Sequence, residues 1–117
     1  MASHIKQTTL QDGAIVVLHL KGNFTGGDET DEVRDAIKKL SDEGNKKLVI
    51  DLGEVVYLNS SALGVLISAH ANYVKRGGQI KLCQLNKNLE NIFVITKLSG
   101  VFDSYANQME AVAGFTN

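Results

Sequence analysis

Ala14-Ile15-Val16-Val17-Leu18-His19-Leu20 is a nearly unbroken apolar run. It predicts a central strand covered on both faces, because a solvated sheet surface would show alternation instead. Gln11-Asp12-Gly13 separates this run from a preceding one, Ile5 to Leu10. Asp-Gly between apolar runs predicts a hairpin, since both positions tolerate positive φ. Gly22 to Gly27 then reads as a loop.

The rest of the chain alternates between helical and strand patterns. A segment from Asp28 starts acidic (Asp28, Glu29, Asp31, Glu32) and ends basic (Lys38, Lys39), the order a helix dipole favours. Val33, Ala36, Ile37 and Leu40 form its inward stripe, and Gly44-Asn45 stops it. A short apolar strand ends at Leu52, and Gly53 to Leu58 leads to a second helix starting near Ser60. That helix is expected to bury Leu63, Leu66, Ile67, His70 and Val74 and to end at Gly77-Gly78. Gln79 to Leu85 is a further strand. Asn86 caps a third helix, with Leu89, Ile92, Phe93 and Thr96 inward and a stop near Gly100. A strand over Val101 to Ser104 precedes a last helix from about Asn107. An Asn107-x-x-Glu110 cap pairing opens it, and Val112 and Phe115 face inward. Alternation after an N-terminal hairpin implies one α/β domain over residues 1–117, with a mixed, mostly parallel sheet and about four helices.

Charge and cysteine content narrow the function classes. Twelve basic against 13 acidic residues leave a net charge of −1, which gives no basic patch for nucleic acid. The pairs Lys38-Lys39, Lys46-Lys47 and Lys75-Arg76 read as solvated element ends. A lone cysteine, Cys83, excludes an internal disulfide or a cysteine zinc cluster and reads as a buried thiol. No apolar run approaches the ~20 residues that span a bilayer, and no signal-peptide pattern opens the chain. A cytoplasmic protein without membrane contact is the expectation.

Asn59-Ser60-Ser61-Ala62-Leu63-Gly64 carries the chemistry. It places two hydroxyls between a buried strand and a helix start, where orphan N–H groups and the macrodipole favour negative charge. A serine there can cap the helix, act as a nucleophile or accept a phosphoryl group. A nucleophile needs a base within hydrogen-bond reach. His70 lies nine residues past Ser61, about 13 Å along the axis, and His19 reads as a core histidine. G-x-S-x-G is absent, as are the phosphate-loop patterns G-x-x-x-x-G-K-[ST] and G-x-G-x-x-G. Asp51 reads as a carboxylate bonded to a neighbouring loop, and no His, Cys or carboxylate spacing suits a metal. Catalysis, metal and cofactor are not expected. Capping and phosphorylation remain.

Val49-Ile50-Asp51-Leu52, a spacer with Val55 or Val56, and Asn59 to Leu66 together resemble the signature of the STAS domain, typified by bacterial anti-sigma-factor antagonists. The likeness begins at the Gly13 hairpin and continues through Arg76-Gly77-Gly78, Leu82, Leu98 and Phe102-Asp103 to Glu110-Ala111. It implies a partner-switching regulator without catalysis. In the family the second serine of the pair, Ser61 here, is phosphorylated by a cognate anti-sigma serine kinase. The unphosphorylated domain binds that kinase and so frees a sigma factor, and a phosphatase resets the cycle. The resemblance also implies a partner surface formed by Asn59, Ser60 and Ala62 with Phe24, Thr25, Gly26 and Gly27 of the preceding loop. Where the family reads D-S-S-G-L-G, this chain reads N-S-S-A-L-G. Asn59 keeps a capping oxygen without the charge. The alternative is a constitutive scaffold or sensor subunit in which Ser61 merely caps its helix. Oligomeric state stays open.

Overall fold

The computed structural model describes residues 4–115. Five strands, β1 (Ile5–Leu10), β2 (Ile15–Phe24), β3 (Lys47–Leu58), β4 (Gln79–Cys83) and β5 (Asp103–Tyr105), lie side by side in chain order. Only the β1–β2 pairing is antiparallel. Four helices, α1 (Asp28–Asp42), α2 (Ser60–Lys75), α3 (Lys87–Ile95) and α4 (Gln108–Gly114), connect or follow them, with single 3-10 turns at Gln11–Gly13 and Leu98–Gly100. Sequential strand order with crossovers of one hand puts α1, α2 and α3 on the same face. The larger core lies there, with Val16, Leu18, Leu20, Leu48, Ile50, Leu52, Ile80 and Leu82 facing the helices. The opposite face holds Ile15, Val17, Val49 and Cys83 against Ala111 of α4.

The hairpin turn bears out the Asp-Gly reading: φ is +56° at Asp12 and +92° at Gly13. The α1 stripe is also as expected, with Val33, Ile37 and Leu40 buried. Gly44, at φ +94°, ends this helix: its N–H donates to the Ser41 carbonyl and the Asn45 N–H to the Leu40 carbonyl, each at 3.0 Å.

Other expectations need correction. Both long strands outrun their apolar segments, because Lys21–Phe24 pairs with Glu54–Leu58 through the backbone. The pairing steps from His19↔Asp51 to Lys21↔Glu54 and from Gly22↔Val55 to Asn23↔Tyr57, so β3 inserts one extra residue at each bulge. The α2 face is rotated from the expected one: Ala62, Leu63, Val65, Leu66 and Tyr73 are buried, while Ile67 and Val74 are 41% and 53% exposed. Tyr73 claims the interior because its hydroxyl finds a partner there, donating to Asn45 Oδ1 at 2.8 Å. β4 stops at Cys83, short of Leu85, and α3 ends at Ile95, with Thr96 exposed and Lys97 left-handed at φ +65°. β5 covers Asp103–Tyr105, two residues later than the expected start. In α4 the fully buried residue is Ala111, with Val112 and Phe115 half-buried beside it.

His19 is half-buried, not enclosed. Its Nδ1 lies 2.9 Å from Asp51 Oδ2 and its Nε2 3.2 Å from Thr8 Oγ1. Asp51 Oδ1 also accepts from the Gly53 N–H at 2.9 Å, and Gln84 Nε2 reaches both oxygens at 3.1 Å. The carboxylate therefore satisfies a loop and a bulge in mid-strand, as a structural group would.

Candidate functional site

Asn59 follows β3 in an extended conformation, and its side-chain oxygen accepts from the Ala62 N–H at 3.0 Å. Its own N–H donates to the Phe24 carbonyl at 3.0 Å, which ties the start of α2 to the end of β2. The helix cap is thus an asparagine one residue before the serine pair. Ser60 and Ser61 occupy the first helical turn, both are exposed, and neither hydroxyl has a side-chain hydrogen bond among the described residues. A capping duty for either serine is therefore corrected.

The loop between β2 and α1 forms the other wall. Gly26, at φ +90°, approaches so closely that a Cβ there would lie 3.3 Å from Ser61 Oγ. Glu29 pins this loop: its Oε1 accepts from the Thr25 N–H at 2.7 Å, the Gly27 N–H at 3.2 Å and the Thr25 and Thr30 hydroxyls at 3.2 Å each. The Thr25 backbone donor is the main reason that the Glu29 carboxyl is lowered to about 2. Thr30, itself buried, accepts from the Gly26 N–H at 2.9 Å.

Thr25, Gly26 and Gly27 are exposed beside Ser60 and Ser61, and Asn59 is half-buried between them. Phe24 and Ala62 are different: at 1% and 4% exposure their side chains sit in the core and hold the loop and helix from beneath. Both lie on segments that look like surface in the chain, but each is the inward residue where its element meets the sheet. Reading the sequence alone missed Glu29, whose carboxylate looked like a simple partner of the helix dipole. It also missed the exposed Val56 and Tyr57, which lead into the site along β3. Of the histidines, His19 faces Asp51, His70 packs on Phe102 with ring centroids 4.9 Å apart, and His4 lies edge-on to the buried Phe24 at 6.1 Å.

A five-stranded mixed sheet that presents an exposed serine beside a pinned glycine loop defines a small α/β domain. The sequence profile of the STAS domain matches residues 6–111, and the chain belongs to the STAS-domain family. It is 31% identical over 72 residues to a putative anti-sigma factor antagonist of Bordetella bronchiseptica, covering 62% of this chain and 61% of that protein. It is 34% identical over 71 residues to the anti-sigma-B factor antagonist of Bacillus subtilis, covering 61% of this chain and 64% of the relative. The matched region thus spans about three-fifths of each curated relative. A putative anti-sigma factor antagonist from Thermotoga maritima superposes with a TM-score of 0.88 at 18% identity, over 97% of this chain and 95% of the other. The Bacillus cell fate determinant SpoIIAA in its phosphorylated form gives 0.75 at 15% identity, over 95% and 98%. Among the described residues no helix is long and apolar enough to cross a membrane.

Proposed function

We propose that this protein is an anti-sigma-factor antagonist that binds an anti-sigma serine kinase when unphosphorylated and is released when Ser61 is phosphorylated. A serine phosphatase returns it to the binding form, and the cycle runs in the cytoplasm. The observation that carries this reading is the freedom of the Ser61 hydroxyl: Asn59 has taken the cap, so Ser61 has no structural task in its turn. The names of the curated relatives point the same way.

The physical basis of release is electrostatic. Phosphorylation adds about −1.5 to −2 charges to a small hydroxyl at the start of α2. In the free protein the start of α2 tolerates that charge, with the helix dipole contributing roughly 0.3–1 kcal/mol. A docked partner that covers the phosphate and offers no cation of its own strips its water at a cost on the order of 3–5 kcal/mol. At ~1.4 kcal/mol per tenfold, affinity falls roughly 10²- to 10³-fold. No large rearrangement is required.

Ser61→Ala and Ser61→Asp variants, titrated against the kinase, test the proposal. Retained affinity in the first and a loss of tenfold or more in the second are expected. Equal affinity in both would replace the switch with the constitutive scaffold. Phosphate mapped after incubation with kinase and ATP must fall on Ser61; modification confined to Ser60 would overturn the assignment.

A further inference from the structure

A groove of about 670 Å³ runs between α1 and α2 and begins at Ser61. Arg34, Lys38 and Asp42 line it from α1, and Ser61, Ser68 and Arg76 from α2. Gly64, one turn beyond Ser61, also lines it and carries no side chain to block the way. On the other side of Ser61 the Gly26 loop leaves no room for a side chain, since a Cβ there would lie 3.3 Å from the serine Oγ. The groove gives a group added to that oxygen room on the side away from the loop.

The three cations there are unequally engaged. Lys38 lies 2.9 Å from Asp42, and Arg76 reaches the same carboxylate at 3.4 Å and the Ser41 carbonyl at 2.9 Å. Among the described residues Arg34 pairs only with Asp31, one turn back on the same helix, and both members of that pair are about half exposed. Such a surface pair contributes roughly 0–1 kcal/mol. A phosphoserine offers a guanidinium more: nearly twice the charge and three acceptor oxygens suited to its planar fork.

We propose that Arg34 is the phosphate reader of this domain: on phosphorylation of Ser61 its guanidinium leaves Asp31, crosses the groove and clamps the phosphate, fastening α1 to α2. The clamp rests on Ser61 being the acceptor. It gives the released form a counter-charge of its own and fills the mouth of the groove.

The test installs phosphoserine at position 61 by genetic-code expansion, so that no kinase is needed, and follows the phosphate by ³¹P NMR against pH. With the clamp in place the second ionisation falls below its ordinary value of ~6, and Arg34→Gln raises it again, short of that value by what the α2 dipole contributes. Arg34 is exposed, so the variant should fold, and circular dichroism verifies this. Lys38→Gln should leave the titration where it is. An Arg34→Gln phosphoprotein that titrates like the parent, or a Lys38→Gln effect equal to that of Arg34→Gln, would overturn the clamp. Failure of the underlying reading is separable: a kinase that modifies another residue removes the biological role of Ser61 and leaves the titration of the installed phosphate unchanged.

Discussion

Gly26 and Ser61 are in contact across two connections of the fold: a Cβ built on the glycine would stand 3.1 Å from the serine Cβ. The backbone there is left-handed as well, at φ +90°. Gly26→Ala should therefore cost about 1–3 kcal/mol from the backbone conformation, and it should displace the Ser61 hydroxyl. Urea unfolding measures the first and the rate of phosphorylation the second. A wild-type midpoint with unchanged modification would mean that the loop yields freely.

Asn59 supplies the cap that leaves the serines free. Asn59→Ala should destabilise the domain by about 1 kcal/mol. Asn59→Asp should keep the bond to the Ala62 N–H and add roughly 0.3–1 kcal/mol at low salt from the dipole. Parallel denaturation curves rank the three. An alanine variant as stable as the parent would remove the capping argument.

Glu29 makes the loop sensitive to acid. Its folded-state value of about 2 lies below the ordinary 4.5, so its stabilising bonds are fully present above pH 4.5 and fade as pH falls toward 2. The amide resonances of Thr25 and Gly27 in the folded domain should titrate with a midpoint of about 2, and Glu29→Gln should abolish the titration. A midpoint at the ordinary 4.5 in the parent would show that the loop does not grip the carboxylate.

Tyr73 and Asn45 should respond asymmetrically. Tyr73→Phe removes one hydrogen bond and should cost about 0.5–1.5 kcal/mol. Asn45→Ala leaves the buried hydroxyl without its acceptor, a loss of about 1–3 kcal/mol. Thermal unfolding of both variants tests the order; a larger loss in the phenylalanine variant would contradict it.

The legible features were those fixed by local bonds. Asn86 and Asn107 cap their helices as read, accepting from the Leu89 and Glu110 N–H groups at 2.8 and 2.9 Å. A cap is settled within four residues, so the chain displays it directly. The second half of the β2–β3 pairing is different: Lys21, Gly22 and Glu54 are joined by backbone and by an exposed Lys21–Glu54 ion pair at 3.8 Å, and bear no apolar signature. The α2 face was obscured because this helix is apolar on several sides, and burial of Tyr73 is decided by a distant asparagine. Within the site, the motif pointed to Ser61. The grip of Glu29 on the loop and the groove beside Arg34 depend on how two helices meet, which no short spacing encodes.

One face of the sheet is covered chiefly by the seven-residue α4, with Leu10, Tyr105 and Phe115 beside it, and Cys83 belongs to the same cluster. Burial, helped by the charge of Asp51, pushes this thiol up to about 12, so it stays silent while the helix is seated. The chain therefore carries its own gauge of breathing: alkylation at pH 8 counts each lifting of the C-terminal turn. Ala111→Gly, by weakening that helix by ~1 kcal/mol, should quicken the count roughly fivefold. An unchanged rate would mean that reagent reaches the sulfur only when the whole domain comes apart.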